Sequence, residues 1–479
     1  MSSRPTSRVS YIWSQELQDV SDDLPSNIGR SSLVHGLIRA LDLLEEISMD
    51  EETTEASANP SKLKKAMIVP PDESLGTEEC MLKYHDKDYV DALLRPRSAS
   101  PPRYDPTAPR NGTDFAPPAK RARNKEPNVR EYQDMDKHNL SHDNPPFQSL
   151  PRYASLITAS TSTACRLLIQ DQTDFVICWD GGRHHARKNE AGGFCYINDL
   201  VLSLLLLSKE GKIQLNQKKE EEEEKNFKLK PKTKIRSPRI LYFDLDLHYS
   251  DGVSNAFHSN KFYSNPTISN DKNPTKPPTV MTFSIHHSSP GFYPISISSG
   301  RADLTNPQST TPFSLSIPLK AYTCSKTYKK IWEGCVEPIV KSWNPDFIVL
   351  QMGSDGLAGD RVGQFGNWSV DGEGGMKWCI ERVKKWGKKT CITGGGGYNH
   401  PNTARAWAAI TASLLDRPIN AETSIPHHEH FEKYAHSFTM EVPEGHMEDQ
   451  NDPNYIAQAC KDFEQIASRI EDIVASSLR

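Results

Sequence analysis

The sequence predicts an α/β fold: one domain built on an open, mostly parallel β-sheet with helices on both faces. Two observations carry that reading. Five short segments, 174–179 (DFVICW), 239–247 (RILYFDLDL), 279–286 (TVMTFSIH), 346–352 (DFIVLQM) and 389–393 (KTCIT), are rich in β-branched or aromatic residues and nearly continuous in apolar ones. Strands covered on both faces read this way. Helical spacing appears beside or between them around 153–170, 195–208, 325–342, 374–386 and 402–416. Strands alternating with helices imply parallel pairing. Ligands of such sheets bind at the carboxyl ends of the strands, so those ends are where chemistry is expected.

A chain of 479 residues with only 36% hydrophobic content is long for one domain and polar for three. The polarity is concentrated in three segments. Residues 95–140 are rich in proline, which fixes φ and removes backbone donors. Residues 209–238 contain KKEEEEEKNFKLKPKTKIRSP, a block of like charges, and 259–278 are rich in Asn, Ser and Pro. Read as disordered inserts, they leave one α/β domain over 8–445. A helical extension follows over 446–479, with apolar spacing at Phe463, Ile466, Ile470, Ile473 and Val474 that suits either packing or a partner. With 57 basic against 62 acidic residues the net charge is −5, which argues against a chain-wide nucleic-acid surface. Nine cysteines without a C-x-x-C pair suit a reduced, intracellular protein better than a disulfide framework. The start MSSRPTSRVSYIW lacks the apolar stretch of a signal peptide, and the run Leu200 to Leu207 is far too short to span a bilayer. A soluble, non-secreted protein without a membrane segment is expected.

The strand 239–247 runs into Asp244-Leu245-Asp246-Leu247-His248. Strand alternation puts Asp244, Asp246 and His248 on one face. Two carboxylates on a buried strand are costly without a cation, and Asp-x-His offers oxygen and nitrogen ligands of the kind zinc accepts. The alternative is a strand end emerging into water. After 346–352 comes Gly353-Ser354-Asp355-Gly356, where Asp355 is either a turn residue or the third ligand of an open catalytic metal site. After 174–179 comes Asp180-Gly181-Gly182-Arg183-His184-His185, an adjacent pair suited to proton transfer, to metal ligation or to neither. After 389–393, Gly394 to Gly397 permit close backbone approach and project Tyr398. There is no phosphate-loop pattern and no G-x-S-x-G nucleophile elbow. Together with the extra carboxylates Asp244 and Asp251, these groups suit metal-assisted hydrolysis of an amide.

The blocks GGRHHARKNEAGGFCYIND, ILYFDLDLHYSDGV, TFSIHHSSPGFYP, VLQMGSDGLAGDRVGQF and ITGGGGYNHPNTARAW resemble the signature blocks of the zinc-dependent histone deacetylases, class I type in its fungal branch. They run in family order from about Ser10 to about Val442. The resemblance implies an arginase-like fold and hydrolysis of N-ε-acetyl-lysine on histones, releasing acetate, in transcriptional repression. It implies zinc on Asp246, His248 and Asp355, and potassium on the same strand end through Asp244, Asp246, His248, Ser284 and Ile285. By the same carry-over His185, backed by Asp251, is the general base and acid. His184, backed by Asp244, tunes charge, and Tyr398 donates to the acetyl carbonyl and the oxyanion. Phe194 and Tyr293 match the walls of the lysine channel, and Gly193 matches the carbonyl that meets the lysine amide. Asp143 matches the rim carboxylate, and Arg30 lines the acetate exit channel. Implied partners are acetylated histone tails or other acetyl-lysine proteins and corepressor subunits. Neither sequence-specific nucleic-acid binding nor a membrane is implied. The nucleus is the implied location, with the cytoplasm second, and the basic run PPAKRARNK (117–125) fits a nuclear signal.

Some residues depart from the family pattern. Arg183 replaces Leu or Trp at the foot of the pocket, where it narrows the foot or sets a cation near the leaving acetate and so bears on acyl preference. Tyr249-Ser250 replaces His-Gly, Tyr293 replaces Phe, and Val362 replaces a larger Leu or Met. Asn27 and Pro401 stand where corepressor-bound relatives have basic residues for inositol phosphate, although Arg361 is kept, so dependence on that phosphate is not expected. Rival readings are a deacetylase of non-histone proteins or acetylpolyamines, and a chromatin scaffold with an inactive site.

Overall fold

The computed structural model describes residues 7–45, 63–95, 136–215, 234–258, 277–294 and 312–478. All five predicted strands form, as β4 (Phe175–Cys178), β7 (Ile240–Asp244), β8 (Val280–His287), β10 (Phe347–Gln351) and β11 (Lys389–Thr393). Four more join their sheet: β1 (Val9–Ile12), β2 (Leu44–Glu45), β3 (Ala66–Val69) and β9 (Ser314–Leu319). They are two to six residues long. The order is β2-β3-β1-β4-β11-β10-β7-β8-β9, and every pairing in it is parallel. The strands whose ends carry candidate chemistry, β4, β11, β10 and β7, are consecutive neighbours.

Side-chain alternation divides the core into two layers. Leu241, Phe243, Ile348, Leu350 and Ile392 face one layer, while Ile240, Tyr242, Phe347, Val349 and Cys391 face the other. The first is covered by helices Arg30–Ala40, Met376–Trp386, His400–Leu414 and Pro453–Leu478, the second by Leu150–Ile169 and Asp199–Glu210. The 20-residue helix Leu150–Ile169 starts with Pro151 in its first turn, where the missing N–H costs nothing. Its buried Thr158 and Thr163 hydroxyls return hydrogen bonds to Ala154 and Ala159 carbonyls at 2.8 and 2.7 Å. Among the described residues, no helix is long and apolar enough to cross a membrane.

Three expectations change. The helix expected over 325–342 is broken into Ser325–Ile331, a π-helical turn Trp332–Val336 and Glu337–Trp343. Pro338 has no N–H to give a carbonyl of the preceding turn, and the ladder shifts there. The helix expected from 195 begins at Asp199, because the Asn198 side chain accepts the Val201 N–H at 2.9 Å and caps it. The third is the strand 239–247, which ends at Asp244. Ordered structure also reaches into the segments read as inserts. His138 and Leu140 are buried, and β5 (Ile213–Leu215) pairs antiparallel with β6 (Lys234–Arg236). Residues 96–135, 216–233 and 259–276 lie outside the described residues.

The C-terminal helix Pro453–Leu478 packs on the sheet layer rather than standing free. Phe463, Ile466 and Ile470 are buried in that core, and the Phe463 ring stacks on Phe283 of β8 at 5.3 Å. Phe463→Ala should lower the unfolding free energy by about 3–5 kcal/mol in a denaturant titration. His85 ties the loop before Asp199 to the body. Its Nε2 accepts the Asn198 N–H at 3.1 Å and its Nδ1 lies 3.2 Å from the Lys188 carbonyl. One ring nitrogen must accept, so the ring is neutral, and burial lowers its pKa to about 4. The unfolded chain takes that proton near pH 6.5, so this contribution is complete above about 6.5 and is lost as pH falls towards 4. The drop in unfolding free energy from pH 6.5 to 4.5 should therefore be smaller in His85→Gln than in the parent.

Candidate active site

The turn after β7 folds back onto carboxylates, and this brings the predicted ligands together. The Asp246 N–H donates to Asp244 Oδ1, and the His248 N–H donates to Asp246 Oδ1, both at 3.0 Å. The Leu247 N–H donates to Asp355 Oδ1 beyond β10 at 3.0 Å. His248 Nδ1 then lies 2.8 Å from Asp355 Oδ2 and 3.2 Å from Asp246 Oδ1. One ligand atom from each of Asp246, His248 and Asp355 lies within 4.8 Å of the others, and all three residues are buried. Convergence thus comes from the turn, not from strand alternation. Asp244 instead faces His184, with its Oδ2 2.8 Å from the His184 Nδ1.

The electrostatics of the trio favour a cation. Burial and then the charge of Asp246 push the Asp355 carboxyl up to about 7. Burial opposes charge on His248, yet the hydrogen bonds and charges of Asp246 and Asp355 outweigh it and raise its pKa to about 10. The cluster holds a proton where a cation would relieve the same repulsion. Two carboxylates and an imidazole with Nδ1 turned to both therefore fit a metal ion.

The histidine pair sits against this trio. His185 Nδ1 is 2.8 Å from Asp251 Oδ1, and the Arg187 guanidinium donates to the other oxygen of Asp251 at 2.9 Å. Burial, then the neighbouring charge of His184, lowers the His185 pKa to about 4. His185 is thus neutral with its proton on the Asp251 side, leaving Nε2 as a base. Burial also disfavours charge on His184, but Asp244 and Asp246 outweigh it and raise its pKa to about 9. Two adjacent histidines thus stand in opposite protonation states: carboxylates hold the charge on His184, while burial and that charge keep His185 neutral.

Gly394 to Gly397 lead β11 into this cluster. The Gly396 N–H donates to Asp246 Oδ2 at 2.8 Å, and a Cβ on Gly396 would lie 2.3 Å from Asp355 Oδ2; only glycine fits. Tyr398 follows, its backbone N–H held by Asp360 Oδ2 at 2.6 Å. Burial and the charges of Asp355 and Asp246 push its phenol well above 10, so it remains a donor. Gly182, Arg183, His184, His185, Gly193, Phe194, Asp246, His248 and Tyr398 line one cavity. Gly193 has φ +50° with His185 directly behind it, and Phe194 has φ +63°. The Phe194 ring lies 5.6 Å from that of Tyr398, and the Tyr293 ring 4.8 Å from that of His185.

Other predicted residues lie apart from the cavity wall. Asp143 is exposed and Val362 is half-buried. Arg30 is buried behind the glycine loop, donating to the Gly395 and Gly397 carbonyls at 3.0 and 3.1 Å. Ser284 pairs in register with Asp244, its buried hydroxyl without a partner among the described residues, and Ile285 is buried beside it. Four contributors escaped the sequence reading. Gln351 Nε2 donates to Asp246 Oδ2 at 2.8 Å, Asp360 positions Tyr398, Arg187 positions Asp251, and the Phe292 ring stacks on His248 at 4.8 Å. A polar residue ending an otherwise apolar strand was the available signal for Gln351.

The comparisons agree with this geometry. The family model described as Histone deacetylase domain matches residues 42–216 and 228–414. The chain is 30% identical over 456 residues to Histone deacetylase 8 of Xenopus tropicalis, covering 94% of each chain. It is 32% identical to Histone deacetylase 8 of Xenopus laevis, covering 69% of this chain and 86% of that one. With Histone deacetylase 9 of Arabidopsis thaliana it shares 31% identity, over 79% of this chain and 70% of the relative. Domain match and relatives together make the chain a member of the histone deacetylase family, a metal-dependent protein-lysine deacetylase on a single arginase-like α/β sheet.

Proposed function

We propose that this protein removes acetyl groups from the ε-nitrogens of lysines in histone tails, with zinc held by Asp246, His248 and Asp355. The observation that carries the reading is one cavity lined by Asp246, His248, a neutral His185, a cationic His184 and a protonated Tyr398, with buried Asp355 completing the trio beside it. Bound there, zinc supplies Lewis acidity at the acetyl carbonyl. The chain's own residues move the protons. His185 Nε2 takes one from the attacking water while Asp251 holds the Nδ1 proton in place, and the same nitrogen returns it to the leaving lysine amine. His184 with Asp244 keeps positive charge beside the developing negative charge. Tyr398 donates its phenolic proton as a hydrogen bond to the oxyanion.

Phe194 and Tyr293 grip the lysine methylenes, and the Gly193 carbonyl accepts the lysine amide N–H. Asp143 holds the substrate backbone at the rim, where Val362 adds contact, and Arg30 and Arg183 lie at the foot from which acetate leaves. Potassium at Asp244, Asp246, His248, Ser284 and Ile285 is supported by the unpartnered Ser284 hydroxyl in register with Asp244. The catalytic domain spans 8–445 and the extension 446–479. We place the protein in the nucleus with corepressor subunits as partners; the basic run 117–125 lies outside the described residues.

The test is hydrolysis of acetylated histone peptides by metal-quantified full-length protein, with and without a hydroxamate chelator. Stoichiometric zinc and chelator-sensitive acetate release are expected. Zinc without turnover would replace this reading with that of a scaffold, and preference for acetylpolyamines would replace the histone substrate.

A further inference from the structure

The cavity wall holds a buried guanidinium that the deacetylation of a neutral acetyl group does not require. Arg183 lines the cavity and is only 4% exposed. Its Nη2 donates to the Asp180 carbonyl at 2.8 Å, while its Nε, also buried, has no partner among the described residues. Arg30 is likewise 4% exposed; its guanidinium donates to the Gly395 and Gly397 carbonyls and lies over the Trp407 ring at 5.0 Å.

Two buried carboxylates, Asp199 and Asp180, act on Arg183 through their charge, but neither hydrogen-bonds its guanidinium among the described residues. Asp180 pairs with His35 at 2.9 Å, and Asp199 accepts the Gly182 and Arg183 backbone N–H groups at 2.9 and 2.8 Å and a bond from Thr161. Tyr153, close enough for both guanidinium charges to act on its phenol, adds a third buried donor whose hydroxyl has no partner among the described residues. The two cations also act on each other: burial, then the Arg183 charge, lowers the Arg30 pKa to about 10. The buried Arg183 Nε and Tyr153 hydroxyl are donors without a partner among the described residues, and leaving buried donors unpaired is costly unless a ligand satisfies them. A guanidinium fork is the side chain best shaped to take a carboxylate.

We propose that the foot of this cavity is a carboxylate-binding subsite, through which the enzyme accepts lysines acylated by short dicarboxylic acids, the malonyl and succinyl class, with Arg183 as the residue that selects the distal carboxylate. The proposal rests on the lysine-deacylase reading above. The reaction keeps its balance: water adds across the amide, the C–N bond breaks, the lysine leaves as an ammonium and the acyl group leaves as a dicarboxylate. No oxidant or reductant is needed. The subsite separates substrates by charge rather than size, because a neutral acyl group of the same shape would leave the buried donors unpaired.

The experiment compares kcat/KM of zinc-quantified full-length protein on one peptide carrying acetyl-, malonyl- or succinyl-lysine, or the neutral isosteres isovaleryl- and 4-methylpentanoyl-lysine. At least one dicarboxylic substrate should exceed its isostere by tenfold or more. That ratio should fall at least tenfold in Arg183→Leu and less in Arg183→Lys, with peptide affinities measured calorimetrically in parallel. Isosteres equal to or better than the dicarboxylic peptides, or a ratio unchanged in Arg183→Leu, would overturn the subsite. If no peptide is hydrolysed but the dicarboxylic ones still bind more tightly through Arg183, the subsite stands and the deacylase reading falls.

Discussion

Asp355→Asn is expected to abolish metal binding and bring acetyl-lysine hydrolysis to background while leaving the metal-free protein folded. Asn keeps the oxygen that accepts the Leu247 N–H and presents an amide where Oδ2 now faces His248 Nδ1. It also removes the carboxyl whose pKa burial and Asp246 push up to about 7, a group the metal-free fold holds at a cost. The metal-free variant should therefore melt no lower than the metal-free parent. The difference appears on loading: a ligand at a thousand times its dissociation constant stabilises by about 4 kcal/mol, and only the parent should gain it. Metal content, melting temperature with and without zinc, and acetate release check the three parts. Zinc retained at full stoichiometry would remove Asp355 from the site. The equivalent change at Asp246 is less clean, since both of its oxygens accept N–H bonds, from His248 on one side and from Gln351 and Gly396 on the other.

Tyr398→Phe should lower kcat by about 10²–10³-fold, the effect of losing one oxyanion donor, or about 2.7–4 kcal/mol. The loop should hold its place, because Asp360 grips the backbone N–H groups of Tyr398 and Asn399 at 2.6 and 3.0 Å and not the phenol. The ring contact with Phe194 survives as well. KM and zinc content should therefore change little, which separates a lost donor from a collapsed site. Burial and the charges of Asp355 and Asp246 hold the phenol well above 10, so the loss should not depend on pH between about 6 and 9. Full activity in the variant would overturn the assigned role.

Much of the site was legible because its chemistry stands at strand ends. Asp246, His248, Asp355, His184, His185 and Tyr398 each follow an apolar run long enough to be read as a strand, and in a parallel sheet all such ends share one edge. Asp360, Arg187 and Phe292 were not legible, because nothing in their local pattern distinguishes them from residues serving only the fold, and Gln351 offered only the weak signal of a polar residue ending an apolar strand. What marks them is a partner far along the chain: Gln351 meets Asp246 across 105 positions and Arg187 meets Asp251 across 64. Edge strands such as Leu44–Glu45 were missed for another reason, since a two-residue strand has no period to detect.

Local pattern by itself determined the fold class, the five central strands and the residue types available for metal and proton chemistry, because burial on both faces and strand-end chemistry leave marks in adjacent residues. Tertiary structure alone decided that β4, β11, β10 and β7 are neighbours. It also decided that the trio converges through a turn closed by carboxylates, and that the buried Arg183 and Arg30 charges act on each other. The physical reason is that side-chain orientation beyond a strand end, and the charge a buried group feels, depend on groups distant in sequence that only folding brings within a few ångströms.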